Sequence, residues 1–254
     1  MRTRSQVTRC VFVMTEEDKI NQQIAEAELN IQKGNRREAQ QNLFQALGIA
    51  TKVQDFKSTE KIMSLLRDLG LFLINPQSIE LGPLETDGFT LDIGGGGEGI
   101  IGKLKGKEVI AIDTDERELS ETQNEALKVV MNATDVKFLP KSFKMCTAFF
   151  SLMYIAKKQH SKVFQEVHRV LKDKGRFLIW DVRIPVAEGK FEQFIAPLKI
   201  KLPEETIETG YGVKWQVQDI EHFKQLAQET GFTVLKEWSR DEIFHLDLRK
   251  ENKT

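Results

Sequence analysis

The run Leu91-Asp92-Ile93-Gly94-Gly95-Gly96-Gly97-Glu98-Gly99 constrains this chain more than any other segment. It puts five glycines into six positions between a short β-branched and apolar stretch, Thr90 to Ile93, and a helix signal that reaches about Leu104. Glycine lets a backbone turn sharply and lets a ligand approach without a Cβ in the way. The helix that follows offers free N–H groups to a polar or anionic ligand. A strand, a glycine turn and a helix in that order predict the opening of an α/β unit with a ligand at the turn.

The chain beyond the loop continues the pattern. Glu108 to Ile112 reads as a buried strand ending in Asp113, Glu116 to Leu127 as a helix, and Val129 to Met131 as a third strand. Met145 to Leu152 is a nearly continuous apolar strand, Gln159 to Leu171 an amphipathic helix, and Arg176 to Val182 a fifth strand. Alternation of this kind predicts a parallel sheet covered by helices on both faces. After a helix over Asp219 to Thr230, the strands Phe232 to Trp238 and Glu242 to Leu248 are joined by three residues. So close a link forces them antiparallel.

Gly94, Gly96 and Gly99 satisfy the spacing of a dinucleotide fingerprint, and Asp113 lies where a ribose-binding acid belongs. Helix capping at this point is better served by Thr114 or Asp115. The loop alone therefore fits either NAD or S-adenosylmethionine. Three features favour the second. Asp92 sits two residues before the first glycine, where it would repel a pyrophosphate but welcome an ammonium and a sulfonium. The segment Met131 to Phe138 offers polar groups to an adenine edge. The terminal antiparallel hairpin departs from a doubly wound dinucleotide domain.

With these motifs in order, residues 86–254 resemble the class I (Rossmann-like) S-adenosylmethionine-dependent methyltransferase family, particularly its small-molecule branch. The resemblance rests on LDIGGGG, AIDTDE, NATDVKFLPKSF, SLMYI and, most specifically, EVHRVLKDKGRFLIWD. It implies that Asp92 and the backbone at Gly94 and Gly96 hold the methionine moiety of S-adenosyl-L-methionine. It further implies that Asp113 accepts the ribose hydroxyls, that Asn132 and Ala133 meet the adenine, and that Phe149 lines the pocket. Three positions depart from the family pattern. Glu98 stands where a third glycine is usual, Asn132 where Asp is common, and Lys144 where Asp is common.

Methyl transfer needs alignment and exclusion of water more than a fixed catalytic signature. Sites of open α/β sheets lie at the carboxyl ends of the strands. That points to Tyr154 and to Asp181, the latter as a base or substrate anchor. His168 and His160 read as helix residues without a role. Residues 183–216 form a long connection with aromatic residues, Tyr211 and Trp215 among them, broken by Pro197, Pro203 and Gly210. Such loops often serve as lids or substrate walls.

Residues 15–85 read as a helical appendage, with an αα-hairpin around Gly34 and a third helix from Ser58 to Leu69. Its apolar positions are Ile20, Ile24, Ala27 and Ile31 on one helix, and Ala39, Leu43, Ala46 and Ala50 on the next. The run from Gly34 to Ala46 resembles part of a tetratricopeptide repeat. A single such unit favours a packing appendage, or a homodimer or partner contact, over a peptide-binding array. Residues 1–14 read as a disordered tail or as a start upstream of the true initiator.

Net charge is −1, and no Lys/Arg-rich stripe is interleaved with aromatics. Nucleic acid is therefore not the expected partner. No apolar stretch approaches membrane-spanning length. The two cysteines, Cys10 and Cys146, lack metal-ligand spacing, so no metal is expected and a reducing cytoplasm is. The sequence thus predicts a methyltransferase acting on a small-molecule acceptor. An NAD-linked oxidoreductase remains an alternative, as does a non-catalytic cofactor-binding protein that recruits a partner through its helical hairpin.

Overall fold

The structure, a computed structural model, describes residues 14–186 and 191–251. Cys10 and the rest of the expected tail before Met14 lie outside the described residues. The chain divides into two compact units between Leu73 and Ile74.

The first unit consists of helices α1 (Glu16–Gln32), α2 (Arg36–Lys52) and α3 (Phe56–Asp68) and a short strand, β1 (Leu71–Leu73). Thr15 caps α1 through a reciprocal pair with Asp18, and Asp55 caps α3. Ile20, Ile24 and Ala27 of α1 and Ala39, Leu43, Ala46 and Ala50 of α2 are buried, as their helical spacing predicts. Ile31 is only partly buried.

The second unit is built on a seven-stranded sheet. In chain order its strands are β3 (Thr90–Ile93), β4 (Val109–Asp113), β5 (Leu127–Val130), β6 (Phe143–Phe149), β7 (Leu171–Val182), β10 (Phe232–Arg240) and β11 (Ile243–Lys250). The spatial order is β10-β11-β7-β6-β3-β4-β5. Strand β3 lies between β4 and β6 and is parallel to both. Its chain thus leaves towards one side and returns on the other, which opens a crevice at its carboxyl end. Helices α4 (Ile100–Lys105), α5 (Glu116–Glu121), α6 (His160–Val170) and α7 (Ile220–Thr230) connect these strands. Strand β11 runs antiparallel between β7 and β10, so the expected terminal hairpin is present. Arg176 of β7 and Asp247 of β11 reinforce that pairing through two bonds, of 3.0 and 2.6 Å.

Two stretches differ from the sequence reading. The expected helix over Glu116 to Leu127 stops at Glu121. Here Thr122 Oγ1 donates to Gly97 O at 2.9 Å, and Asn124 Nδ2 donates to Gly99 O at 3.0 Å. These side-chain bonds to the glycine loop compete with the helix, and the freed chain enters β5. The second stretch is the connection over 183–216, whose described residues include two long strands. Strands β8 (Gln193–Lys201) and β9 (Thr206–Lys214) form an antiparallel pair, and β2 (Gln77–Glu80) joins β8 in parallel. Phe194, Ala196, Leu198 and Ile200 alternate into the core, a period of two that prevails over the turn signals of Pro197 and Gly210. Those two residues face each other in the ladder. Strand β2 lies within residues the sequence assigned to the helical appendage.

The core of this unit contains Leu91, Cys146, Phe164, Phe177, Phe223 and Leu246. Leu246, fully buried on β11, leaves a cavity when truncated, so Leu246→Ala costs ~2–5 kcal/mol in urea denaturation. Leu235→Ala on the neighbouring β10, where the side chain is 42% exposed, changes stability by less than about 0.5 kcal/mol.

Candidate functional site

The glycine loop begins where β3 ends. Gly94 N and Gly95 N both donate to Ile112 O of β4, at 2.8 and 3.1 Å, which turns the chain within two residues. Gly94 has φ +70°, and a Cβ there would stand 2.4 Å from Ser151 Cβ. Ser151, just beyond β6, fixes this approach by donating to Ile93 O at 2.6 Å. Gly95 has no room for a side chain either, because a Cβ would meet Asp92 Oδ2 at 2.7 Å.

These contacts open a cavity of about 710 Å³ at the carboxyl ends of β3, β4, β5 and β6. Asp92, Gly94, Gly96, Asp113, Asn132, Ala133, Phe149 and Tyr154 all line it. The sequence reading therefore assembles around one space, with the exception of Asp181. Strand β9 adds Gly210 and Tyr211 to the wall.

Asp92 is 3% exposed. Thr147 Oγ1 donates to its Oδ1 at 2.7 Å, and among the described residues Oδ2 has no hydrogen-bond donor. Burial pushes its pKa up to about 7, offset in part by Thr147 and augmented by Asp113. A buried carboxylate with a free oxygen facing a cavity is suited to a cationic ligand. Asp113 Oδ2 accepts a weak bond from Gly96 N at 3.4 Å, and its Oδ1 accepts from Asp115 N at 3.0 Å. Asp115, not Asp113, caps α5, as the sequence suggested, which leaves Asp113 at the cavity.

Asn132 commits its amide oxygen within its own segment. That oxygen accepts from Thr134 N at 2.9 Å and from Thr134 Oγ1 at 2.8 Å. The amide NH₂ is the group left to meet a ligand.

Asp181 requires a correction. It is fully buried and does not line the cavity. It accepts from Met153 N at 3.2 Å, Val182 N at 2.8 Å and Gln218 Nε2 at 2.8 Å. Burial raises its pKa to about 7 against those bonds. Its place is to hold the segment that carries Tyr154. A signal for this was present in the apolar run that precedes it, Phe177 to Trp180, which predicts a buried position.

Tyr154 reaches the cavity and is half exposed. Burial, with the charges of Glu118 and Glu98, pushes its pKa up, so its hydroxyl stays protonated and acts as a donor. His160, which sequence reasoning left without a role, supports the same segment. His160 Nε2 lies 3.0 Å from Leu152 O and 2.9 Å from Ile155 O. Those acceptors require a proton on Nε2, so His160 Nδ1 accepts from His222 Nε2 at 2.9 Å. Burial, reinforced by His160, lowers His222 to about 4, which keeps the pair neutral.

Tyr211 of β9 stacks on Phe150, with ring centroids 5.6 Å apart. Trp215, the other aromatic of the expected lid, packs on Phe191 and Phe194 instead and does not line the cavity. Glu98, the irregular member of the glycine loop, accepts a short hydrogen bond from Thr209 Oγ1 and interacts with the Tyr211 hydroxyl. Lys144 pairs with Asp87 at the surface, away from the cavity. Among the described residues no cluster of His, Cys, Asp and Glu could hold a metal ion, and no helix is long and apolar enough to cross a membrane.

Comparison with known proteins agrees with this arrangement. Residues 91–179 match the model of a methyltransferase domain family. No relative is found among curated proteins. Among solved structures, an S-adenosylmethionine-dependent methyltransferase from Methanosarcina mazei is similar, with 18% identity over 67% of this chain and 95% of that one and a TM-score of 0.50. One from Mesorhizobium loti has 12% identity over 64% of this chain and 90% of that one, with a TM-score of 0.47. At such identity the Methanosarcina structure speaks for the fold alone. Of the two cofactors the glycine spacing left open, the methyltransferase-domain match favours S-adenosylmethionine.

Gly94→Ala tests the tight turn. It combines a left-handed backbone with a clash against Ser151 and lowers stability by about 2–4 kcal/mol, read from urea denaturation. Adding Ser151→Gly recovers only the part due to the clash.

Proposed function

We propose that the chain is a class I S-adenosylmethionine-dependent methyltransferase that transfers the cofactor's methyl group to a small-molecule acceptor lying between Tyr154 and Tyr211. The observation that carries this reading is the wall contributed by β9. Gly210 and Tyr211 add to the lining of the cavity, and its volume of about 710 Å³ is that of a small-ligand site. A nucleic acid would call for a basic groove. The cavity has no lysine or arginine among its described lining residues.

The residues present fit S-adenosylmethionine. The free Oδ2 of buried Asp92 suits the ammonium group of the methionine moiety, beside the backbone of Gly94 and Gly96. Asp113 suits the two ribose hydroxyls. Asn132, through its NH₂, and the backbone at Ala133 suit the adenine edge, with Phe149 as an apolar wall. The cofactor supplies a methyl carbon already activated by its sulfonium. The protein's share is alignment of the acceptor with that carbon and exclusion of water. The ring of Tyr211, stacked on Phe150, and the donor hydroxyl of Tyr154 perform that share. No buried base is required of Asp181, which is committed to three hydrogen bonds.

Calorimetry tests both the cofactor and the role of Asp92. S-adenosylhomocysteine binds and NADH does not. Because Asp92 has a pKa of about 7 when no cation faces it, the ligand's ammonium favours the ionised form. Protons are then released on binding below that value, and affinity falls about tenfold as pH drops from about 8 to about 6. Asp92→Asn removes this dependence and weakens binding by about 10- to 100-fold at the upper pH. Affinity that is flat with pH, or that rises as pH falls, contradicts the assignment.

A further inference from the structure

We propose that Gln216 is a positioning residue for Tyr154. Its side-chain amide joins the segment after β6 to the chain leaving β9, and so sets the spacing of the two tyrosines between which the acceptor lies. The inference rests on the methyltransferase reading above and adds what fixes the acceptor's space.

A side-chain amide carries an acceptor and a donor group, as a peptide unit does. Gln216 uses both on the backbone next to Tyr154. Lys157 N donates to Gln216 Oε1 at 2.6 Å, and Gln216 Nε2 donates to Ile155 O at 3.0 Å. These two backbone groups flank Ala156, and one side chain supplies both with partners. Lys157 Nζ adds a bond to Val217 O at 3.1 Å.

The base from which Gln216 reaches is itself fixed. Two residues on, Gln218 exchanges backbone bonds with Ile184, at 2.9 and 3.1 Å. Its Nε2 donates to Asp181 Oδ1 at 2.8 Å and to Val182 O at 2.9 Å, and the side chain is buried. The chain leaving β9 is therefore tied to the end of β7, and Gln216 extends that tie to the segment of Tyr154. The other supports of this segment serve different ends. Asp181 binds it to β7 through Met153 N, and His160 binds it to α6 through the carbonyls of Leu152 and Ile155. Gln216 binds it to the chain that carries Tyr211. Tyr211 has its own supports, since it pairs with Ala196 in the β8–β9 ladder and its ring stacks on Phe150. Gln216 does not line the cavity, so it acts through Tyr154 and not on a ligand.

Tyr154 and Tyr211 are the chain's two tyrosines. The full chain labelled with 3-fluorotyrosine therefore gives two fluorine signals, assigned with Tyr154→Phe and Tyr211→Phe. In Gln216→Ala the Tyr154 signal is expected to shift and the Tyr211 signal to stay. Amide exchange at Lys157 rises about tenfold, because its acceptor is gone. Gln216→Glu keeps an acceptor for Lys157 N but turns a carboxylate oxygen towards Ile155 O. In this variant Lys157 keeps its protection while the Tyr154 signal still shifts, and it decides the matter should Gln216→Ala fail to fold. S-adenosylhomocysteine affinity, read by calorimetry, changes by less than about twofold in either variant, because Gln216 stands outside the cavity. A Tyr154 signal that stays in place overturns the proposal. So does a shift of both tyrosine signals together, which would make Gln216 a general support of the fold, or a tenfold loss of S-adenosylhomocysteine affinity, which would place its effect at the cofactor. The fluorine and exchange readings need no ligand. Failure of the cofactor reading is thus separate, because the wild-type chain would then not take up S-adenosylhomocysteine, whatever the tyrosines report.

Discussion

Two consecutive amides, Gly94 N and Gly95 N, share the carbonyl of Ile112 at the end of the neighbouring strand. The rest of the site depends on this turn. It is possible because β3 runs parallel to β4 on one side and β6 on the other, and because neither glycine has a Cβ to strike Ser151 or Asp92. The chain reverses within two residues, and the space it vacates becomes the cavity. Asp92, one residue before the end of β3, then faces that space with one oxygen satisfied by Thr147 and the other open. The burial that raises its pKa is the same burial that makes a bound ammonium favourable.

A second layer holds the mouth of the cavity. Asp181 and the His160–His222 pair both grip the segment after β6, the first through Met153 N and the second through the carbonyls of Leu152 and Ile155. Tyr154 projects from between these anchors. Opposite, β9 contributes Thr209 and Tyr211 to Glu98. Cofactor-side and acceptor-side residues are thus tied to different elements. The glycine loop and β4 carry one set, and the β6 exit and β9 carry the other. Ser151, bonded to Ile93 O, and Glu98, bonded by Thr209, link the two sets.

The fold was legible where sequence periodicity and glycine placement act locally. Thr90 to Ile93 coincides with β3, and the buried faces of α1 and α2 follow their helical spacing, apart from partly buried Ile31. The acids and glycines expected at the cofactor all line one cavity. What could not be read depended on contacts between distant segments. The helix after Asp115 ends early because Thr122 and Asn124 bond to the glycine loop. Within the connection over 183–216, β8 and β9 are strands because β8 finds partners in β9 and β2. Asp181 stands at the end of a strand, where site residues gather, but the Gln218 side chain and two backbone amides claim it. Asn132 likewise gives its oxygen to Thr134, two residues on, which sequence spacing alone does not reveal.

The most direct test of this account is a crystal structure of the chain with S-adenosylhomocysteine bound. The account predicts the ammonium on Asp92 Oδ2, the ribose hydroxyls on Asp113, and the thioether sulfur facing the space between Tyr154 and Tyr211. A ligand bound outside the glycine-loop cavity, or one whose sulfur faces away from those tyrosines, would contradict it.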